Sequence, residues 1–223
     1  MIKRKEILKY YFSVEGETEF WYLEWLQDQI NNAPGTSKVS FNKQIQKDPL
    51  KRAKSLPITD KVEIWHLSDY ESSDDVHVMQ FTETMDRMAM TKNLTKQVVY
   101  KFGYSNLTFD LWMILHKMDC RGTFSHRKQY IKPINKAYDE SFENMDEFKH
   151  EANFKRCLKK LTLEDVIAAV SRAKEIMHIN EQNGYKLHWY RNYSFFKENP
   201  SLMIWEIIEK ILVDCGLLQG KNC

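Results

Sequence analysis

Four short runs rich in β-branched and aromatic residues, separated by helix-like stretches, constrain the fold of this chain most. The first is Ile7 to Val14, stopping at Glu15-Gly16. The second, residues 38–46, alternates, with Val39, Phe41 and Ile45 apolar. The third is Val62 to Leu67 and the fourth Gln97 to Phe102. Such runs read as strands bounded by turns. From Thr18 the period becomes helical: Phe20, Leu23 and Leu26, with Trp21 and Trp25 beside them, up to a breaker at Asn31-Asn32-Ala33-Pro34-Gly35. Asp74 to Met90 sets Val78, Phe81, Met85 and Met88 on one side, and Ser105-Asn106 opens a helix from Phe109 to Met118. Residues 47–61 read as a basic, Pro-punctuated connection. Strands alternating with helices in this order favour an α/β fold with a mostly parallel sheet flanked by helices.

Beyond residue 119 strand-like runs give way to helical patterns at 126–138, 145–160, 163–181 and 201–214. Leu163, Val166, Ile167, Val170, Ala173 and Met177 make an apolar stripe. The expected organisation is an α/β domain over residues 1–118 and a helical C-terminal region over 119–223 packed on it. With 43% hydrophobic and 29% charged residues, the chain can bury a core and is not disordered. No apolar run is long enough to span a membrane. The N-terminal stretch runs into Glu15, Glu17 and Glu19 with no small-residue cleavage site, so it does not read as a signal peptide. Cys120, Cys157, Cys215 and Cys223 are far apart and unpaired in pattern, which reads as free thiols and a cytoplasmic location.

In an open α/β sheet, ligands sit beyond the carboxyl ends of the strands. Glu15 follows the first strand, Asp69 and Glu71 the third, and Asp110 stands shortly after the fourth. Carboxylates gathered at one edge repel one another unless a hard cation such as Mg²⁺ neutralises them. The same residues would also serve as helix caps or solvated turn residues.

Three segments carry a resemblance: Val14-Glu15-Gly16-Glu17-Thr18-Glu19, Leu67-Ser68-Asp69-Tyr70-Glu71, and Ser105-Asn106-Leu107-Thr108-Phe109-Asp110-Leu111-Trp112 through His116. They resemble the RloB-like (AbiLii-like) abortive-infection family of Toprim-domain proteins, with its EGxTE turn, aspartate pair and SNPxFExW helix start. Tyr130-Ile131-Lys132, the Ala168 to Ala173 helix and Asn199-Pro200-Ser201 match later family features, so the likeness runs from about residue 8 to about 213. Glu71 stands for the second aspartate, Asp110 for a glutamate and Leu107 for a proline. No carboxylate is lost.

The resemblance implies a Toprim-like domain and a phosphodiester-cleaving site holding Mg²⁺ or Mn²⁺ through Glu15, Asp69, Glu71 and Asp110. Glu15, Asp69, Glu71 and Lys132 would be its catalytic residues, with Glu19, Asn106 and His116 around them. Lys132 and Arg127 would bring positive charge to a phosphate, or else lie on a solvated helix face. His116, beside Trp112 and Leu115, reads more readily as a core group, and His66 as packing. Asn106 would orient the neighbouring acid or cap the helix. Trp21, Tyr22 and Trp25 suit helix packing better than base stacking.

A net charge of +2 gives no global pointer to nucleic acid. Residues 121–160, however, hold ten Lys and Arg against six Asp and Glu. Arg127, Lys132, Arg156 and Lys159 are the candidates there for a nucleic-acid backbone. The implied activity is a nuclease acting in anti-phage defence, on tRNA or other RNA in preference to DNA. The chain has no GxxxxGK[ST] loop, so any ATP dependence falls to an AAA- or ABC-type ATPase partner. The alternative is a subunit that senses a nucleotide or nucleic acid without cleaving it.

Overall fold

Strands that are apolar on both faces need cover on both faces, and the topology supplies it. The computed structural model describes residues 7–57 and 60–219. The segment 1–6 and Cys223 lie outside the described residues. In chain order the elements are β1 (Leu8–Val14), α1 (Glu17–Asn32), β2 (Val39–Ile45), α2 (Pro49–Ser55), β3 (Val62–Asp69), α3 (Asp75–Met90), β4 (Val98–Asn106) and α4 (Asp110–Lys117). They continue with α5 (Ile131–Tyr138), α6 (Met145–Lys149), α7 (Glu151–Leu158), α8 (Leu163–Gln182), β5 (Leu187–Tyr190), β6 (Tyr193–Phe196), β7 (Ser201–Leu202) and α9 (Ile204–Asp214). The sheet order is β2-β1-β3-β4-β7. Its first four strands are parallel, and β7 pairs antiparallel with the end of β4. The expected α/β class, with a mostly parallel sheet and a mainly helical C-terminal region, is the one observed.

Alternation along the strands divides the core. Phe12, Val14, Trp65 and Leu67 point to one face, where α1, α4 and α5 to α9 cover them. Ile64, Val98, Tyr100, Phe102 and Tyr104 point to the other, under α2, α3 and the β5–β6 hairpin. Each fully buried aliphatic or aromatic side chain there stabilises the fold by about 1.5–3 kcal/mol relative to exposure. Gly103 is fixed by a close approach. A Cβ there would lie 2.8 Å from Leu67 Cδ2 and 3.4 Å from the Ile204 Cα, so the start of α9 sits almost directly on β4.

Several boundaries differ from the sequence reading. The connection at 47–61 contains α2, with Pro49 at its first position and Asp48 accepting the backbone N–H groups of Leu50 and Lys51. β3 and β4 run further than their apolar patterns, to Asp69 and Asn106. The helical run at 145–160 breaks at His150, whose extended backbone separates α6 from α7. The C-terminal half also holds a four-residue-per-strand hairpin and the two-residue β7, too short to leave a period. Cys120, Cys157 and Cys215 are free and buried. No helix among the described residues is long and apolar enough to cross a membrane.

His116 shows how firmly the core is closed. It is buried on α4, where its Nδ1 meets the Trp112 carbonyl at 2.8 Å and its Nε2 lies 3.2 Å from the Tyr22 hydroxyl. The carbonyl can only accept, so Nδ1 carries the proton and Nε2 accepts from Tyr22. Burial holds its pKa down at about 4. A depressed folded-state pKa gives stability that is complete above the ordinary value near 6.5. That stability is lost as the pH falls toward 4, at a cost of about 3 kcal/mol. Urea unfolding of His116→Gln at pH 7, 5.5 and 4.5 should therefore show a much flatter loss of stability than the parent. Equal pH slopes would refute the assignment.

Candidate functional site

The parallel register of β1 and β3 decides which acids meet. Val14 stands opposite Leu67, so the chain beyond β1 runs beside the last residues of β3. There the Ser68 hydroxyl donates to Glu15 Oε1 at 2.6 Å. Gly16 then enters α1. A Cβ on it would lie 3.1 Å from Glu19 Oε2, so its bare backbone leaves room for that carboxylate to fold back over the turn. Glu19 is buried and accepts from the Thr18 hydroxyl at 2.9 Å. Asp69 closes β3, and its Oδ1 accepts the Phe109 N–H at 2.8 Å, just ahead of α4. Asp110 opens α4, fully buried. Its Oδ2 accepts from the Thr108 hydroxyl at 2.7 Å and lies 3.0 Å from the Lys149 ammonium. Its Oδ1 is buried with no hydrogen-bond partner among the described residues.

These four acids share one electrostatic environment. Burial, then the charges of Glu19, Glu15 and Asp110, push the Asp69 carboxyl well above the ordinary aspartate range, and Lys149 offsets only part of this. Burial likewise raises Glu19. Glu15 goes the other way. Burial would raise it, but nearby His66, the Ser68 hydroxyl and Lys47 outweigh burial and hold it below the ordinary glutamate value. Lys149 remains an ammonium: burial works against its charge, but Asp110, Asp69 and Glu19 more than restore it. The cluster is thus three carboxyl groups, Glu19, Asp69 and Asp110, around one lysine, with Glu15 beside them facing His66 and Lys47.

Glu15 and Asp69 also open onto a cleft of about 350 Å³ toward α3, lined further by Glu71, Lys47, Asp48, His77 and Arg87. Glu71 belongs to this cleft and stands apart from the buried cluster. Its backbone turns into the left-handed region (φ 58°), its N–H donates to the Leu107 carbonyl at 2.8 Å, and its carboxylate reaches His77 Nε2 at 3.0 Å. Arg127 lies at the same rim, 3.6 Å from Glu71 Oε1.

Other residues singled out in the sequence lie elsewhere. Lys132 is exposed on α5, and the lysine that faces the cluster is Lys149. Arg156 is held by both oxygens of Glu140, and Lys159 lines a shallow surface hollow with His150, Lys155 and Arg156. Asn106 does not orient Asp110. Its amide donates to the Lys197 and Glu198 carbonyls at 3.0 and 3.2 Å and clamps the loop before β7. His116 faces Tyr22 in the core, in keeping with its place beside Trp112 and Leu115. Trp21 and Tyr22 are buried in the same core.

Two residues were missed. His66 was read as packing and is indeed fully buried, with Nδ1 at 2.7 Å from the Ser13 hydroxyl, but its Nε2 stands 3.8 Å from Glu15 Oε1. Lys149 was one basic residue among ten in its segment. Only its place between two apolar positions, Phe148 and Phe154, hinted at burial.

Among the described residues no three acidic, histidine or cysteine side chains already stand in metal-coordinating geometry. The donor chemistry nonetheless fits a hard divalent cation: all-oxygen groups, an excess of negative charge, and a buried Asp110 oxygen without a partner. Glu15, Asp69 and Asp110 are the residues that would hold it.

Compared with known proteins, the chain matches a family model described as RloB-like protein over residues 10–211. No curated protein and no solved structure matches it.

The raised Asp69 carboxyl has a direct consequence. Its folded-state pKa exceeds its unfolded value, so the metal-free fold loses stability as rising pH ionises the group. In chelator-treated protein, Asp69→Asn should melt higher than the parent at pH 7.5, with the gap shrinking toward pH 4. The Asn oxygen still accepts from Phe109. A variant that melts lower at pH 7.5 would contradict the charge reading.

Proposed function

Since the chain belongs to the RloB-like family, we propose that it is a Toprim-type, Mg²⁺- or Mn²⁺-dependent nuclease that cleaves nucleic-acid phosphodiesters in anti-phage abortive infection. One observation carries this reading: Glu15, Glu19, Asp69 and Asp110, distant in sequence, converge at the carboxyl edge of the sheet, where Lys149 faces Glu19, Asp69 and Asp110, and Lys47 and His66 face Glu15. Glu15, Asp69 and Asp110 would hold a divalent ion, which would supply polarisation of a phosphate and a hydroxide at neutral pH.

The chain's own residues divide the remaining work. Glu15, kept ionised by its neighbours, is a ready anionic ligand. Asp69 is held by the Phe109 N–H and Asp110 by the Thr108 hydroxyl, which orients each carboxyl group at the cluster. Lys47 in the cleft wall would bring positive charge to an entering phosphate backbone, whereas Arg87 there is held by both oxygens of Asp48 and Arg127 at the rim faces Glu71. We assign the catalytic α/β unit to residues 1–118 and the helical region to 119–223, in a cytoplasmic protein. An AAA- or ABC-type ATPase partner supplies any ATP dependence. RNA, tRNA included, is favoured over DNA by the family resemblance.

A second reading, a subunit that binds a nucleotide or nucleic acid without cutting it, draws on one observation: Lys149 already neutralises part of the cluster.

The two readings separate on Asp69→Ala. With Mn²⁺ and any ATPase partner supplied, the parent should cleave tRNA, single-stranded RNA or DNA and be toxic when expressed, while Asp69→Ala should fall to background with its fold intact. Glu71→Asp should be milder, since it keeps a carboxylate outside the buried cluster. Equal toxicity of parent and Asp69→Ala would favour the sensing subunit.

Backbone binding has its own signature. Lys132 and Lys159 are exposed, and among the described residues neither is in an ion pair. If they contact phosphates, replacing each should flatten the log–log salt dependence of affinity by about one. Arg156 must first leave Glu140, so its replacement should matter less. A salt-independent affinity would exclude these contacts.

A further inference from the structure

We propose that Lys149 is an internal counter-ion that holds the acid cluster together in the metal-free protein, and that a divalent ion binds by displacing its ammonium. The inference rests on the metal reading given above and adds a regulatory step to it.

The geometry is asymmetric in the way such an exchange requires. The Lys149 ammonium sits 3.0 Å from Asp110 Oδ2, but its side chain keeps 31% of its exposure, against 1% for the Asp110 side chain. The carboxylate cannot leave, whereas the lysine can swing into water on a flexible four-carbon stem. The single ammonium of Lys149 faces three carboxyl groups, Asp110, Asp69 and Glu19, and cannot pair with all of them at once. Asp110 Oδ1, buried and unpartnered, is a second point of attachment that the ammonium does not use. A divalent ion brings twice the charge and takes several oxygens at once.

Lys149 also ends α6, a five-residue helix of the C-terminal half capped by the Asn144 side chain. The acids it faces, Asp110 on α4, Asp69 at the end of β3 and Glu19 on α1, all belong to the N-terminal half. Displacing it therefore releases one tie between the two halves of the chain, and metal occupancy is sensed by the α6–α7 segment.

The test follows Mn²⁺ binding by calorimetry and melting temperature in the full-length parent, Lys149→Met, Lys149→Arg and Asp69→Ala. Lys149→Met should bind Mn²⁺ at least tenfold more tightly than the parent while melting lower without metal. Lys149→Arg, which keeps a cation, should bind no more tightly than the parent. If Lys149→Met does not fold, the parent decides the question. Mn²⁺ should then increase reductive methylation of Lys149, read by mass spectrometry, and equal methylation with and without Mn²⁺ overturns the proposal. Unchanged or weaker Mn²⁺ affinity in folded Lys149→Met, with binding lost in Asp69→Ala, overturns the displacement step and leaves the metal site standing. No Mn²⁺ binding by the parent removes both.

Discussion

The seam between the end of β3 and the start of α4 organises the cluster. Asp69 Oδ1 takes the Phe109 N–H, the Tyr70 N–H donates to the Ser105 carbonyl at 2.9 Å, and the Glu71 N–H donates to the Leu107 carbonyl. A strand end is thereby laced to the loop that opens the next helix, and Asp110 is delivered behind Asp69. The parallel register of β1 then brings Glu15 alongside. Without the seam the acids would sit on three independent turns. With it they share one low-dielectric environment, where each charge affects the others.

Much of this was legible because strands and helices leave different periods. Val62 to Leu67 and Gln97 to Phe102 announce buried strands, and the acids that follow them fall at the carboxyl edge of the sheet. What escaped was local or long-range. Pro49 read as punctuation when it is a first-turn proline behind the Asp48 cap. Ser201-Leu202 is too short to show a period, and its pairing depends on β4, far away in sequence. Lys149 was hidden for a different reason: a lysine in a basic segment looks solvated, and only the fold reveals the carboxylates it faces. Asn106 was read through its neighbour Asp110, but a side-chain amide goes where unpaired carbonyls are, and those belong to the loop before β7.

The C-terminal half is tied back by polar clamps as well as by apolar packing. Asn106 holds the Lys197 and Glu198 carbonyls, Asn180 donates to the Pro200 carbonyl at 2.9 Å, and the Tyr104 hydroxyl accepts the Phe196 N–H at 2.9 Å. Each satisfies buried backbone that would otherwise cost about 1–3 kcal/mol. Together they seat β7 against β4 and let α9 lie on Gly103. The acids therefore rest on a sheet edge whose geometry is fixed from both ends of the chain.

The Asp110–Lys149 pair also bears on how such a chain can diverge. The two are not equally dependent: Asp110 without the lysine leaves uncompensated charge under α4, whereas Lys149 without the acid can carry its ammonium into water on its flexible stem. Related chains that lose Asp110 can therefore keep a lysine at position 149, whereas loss of Lys149 with Asp110 retained should be rare.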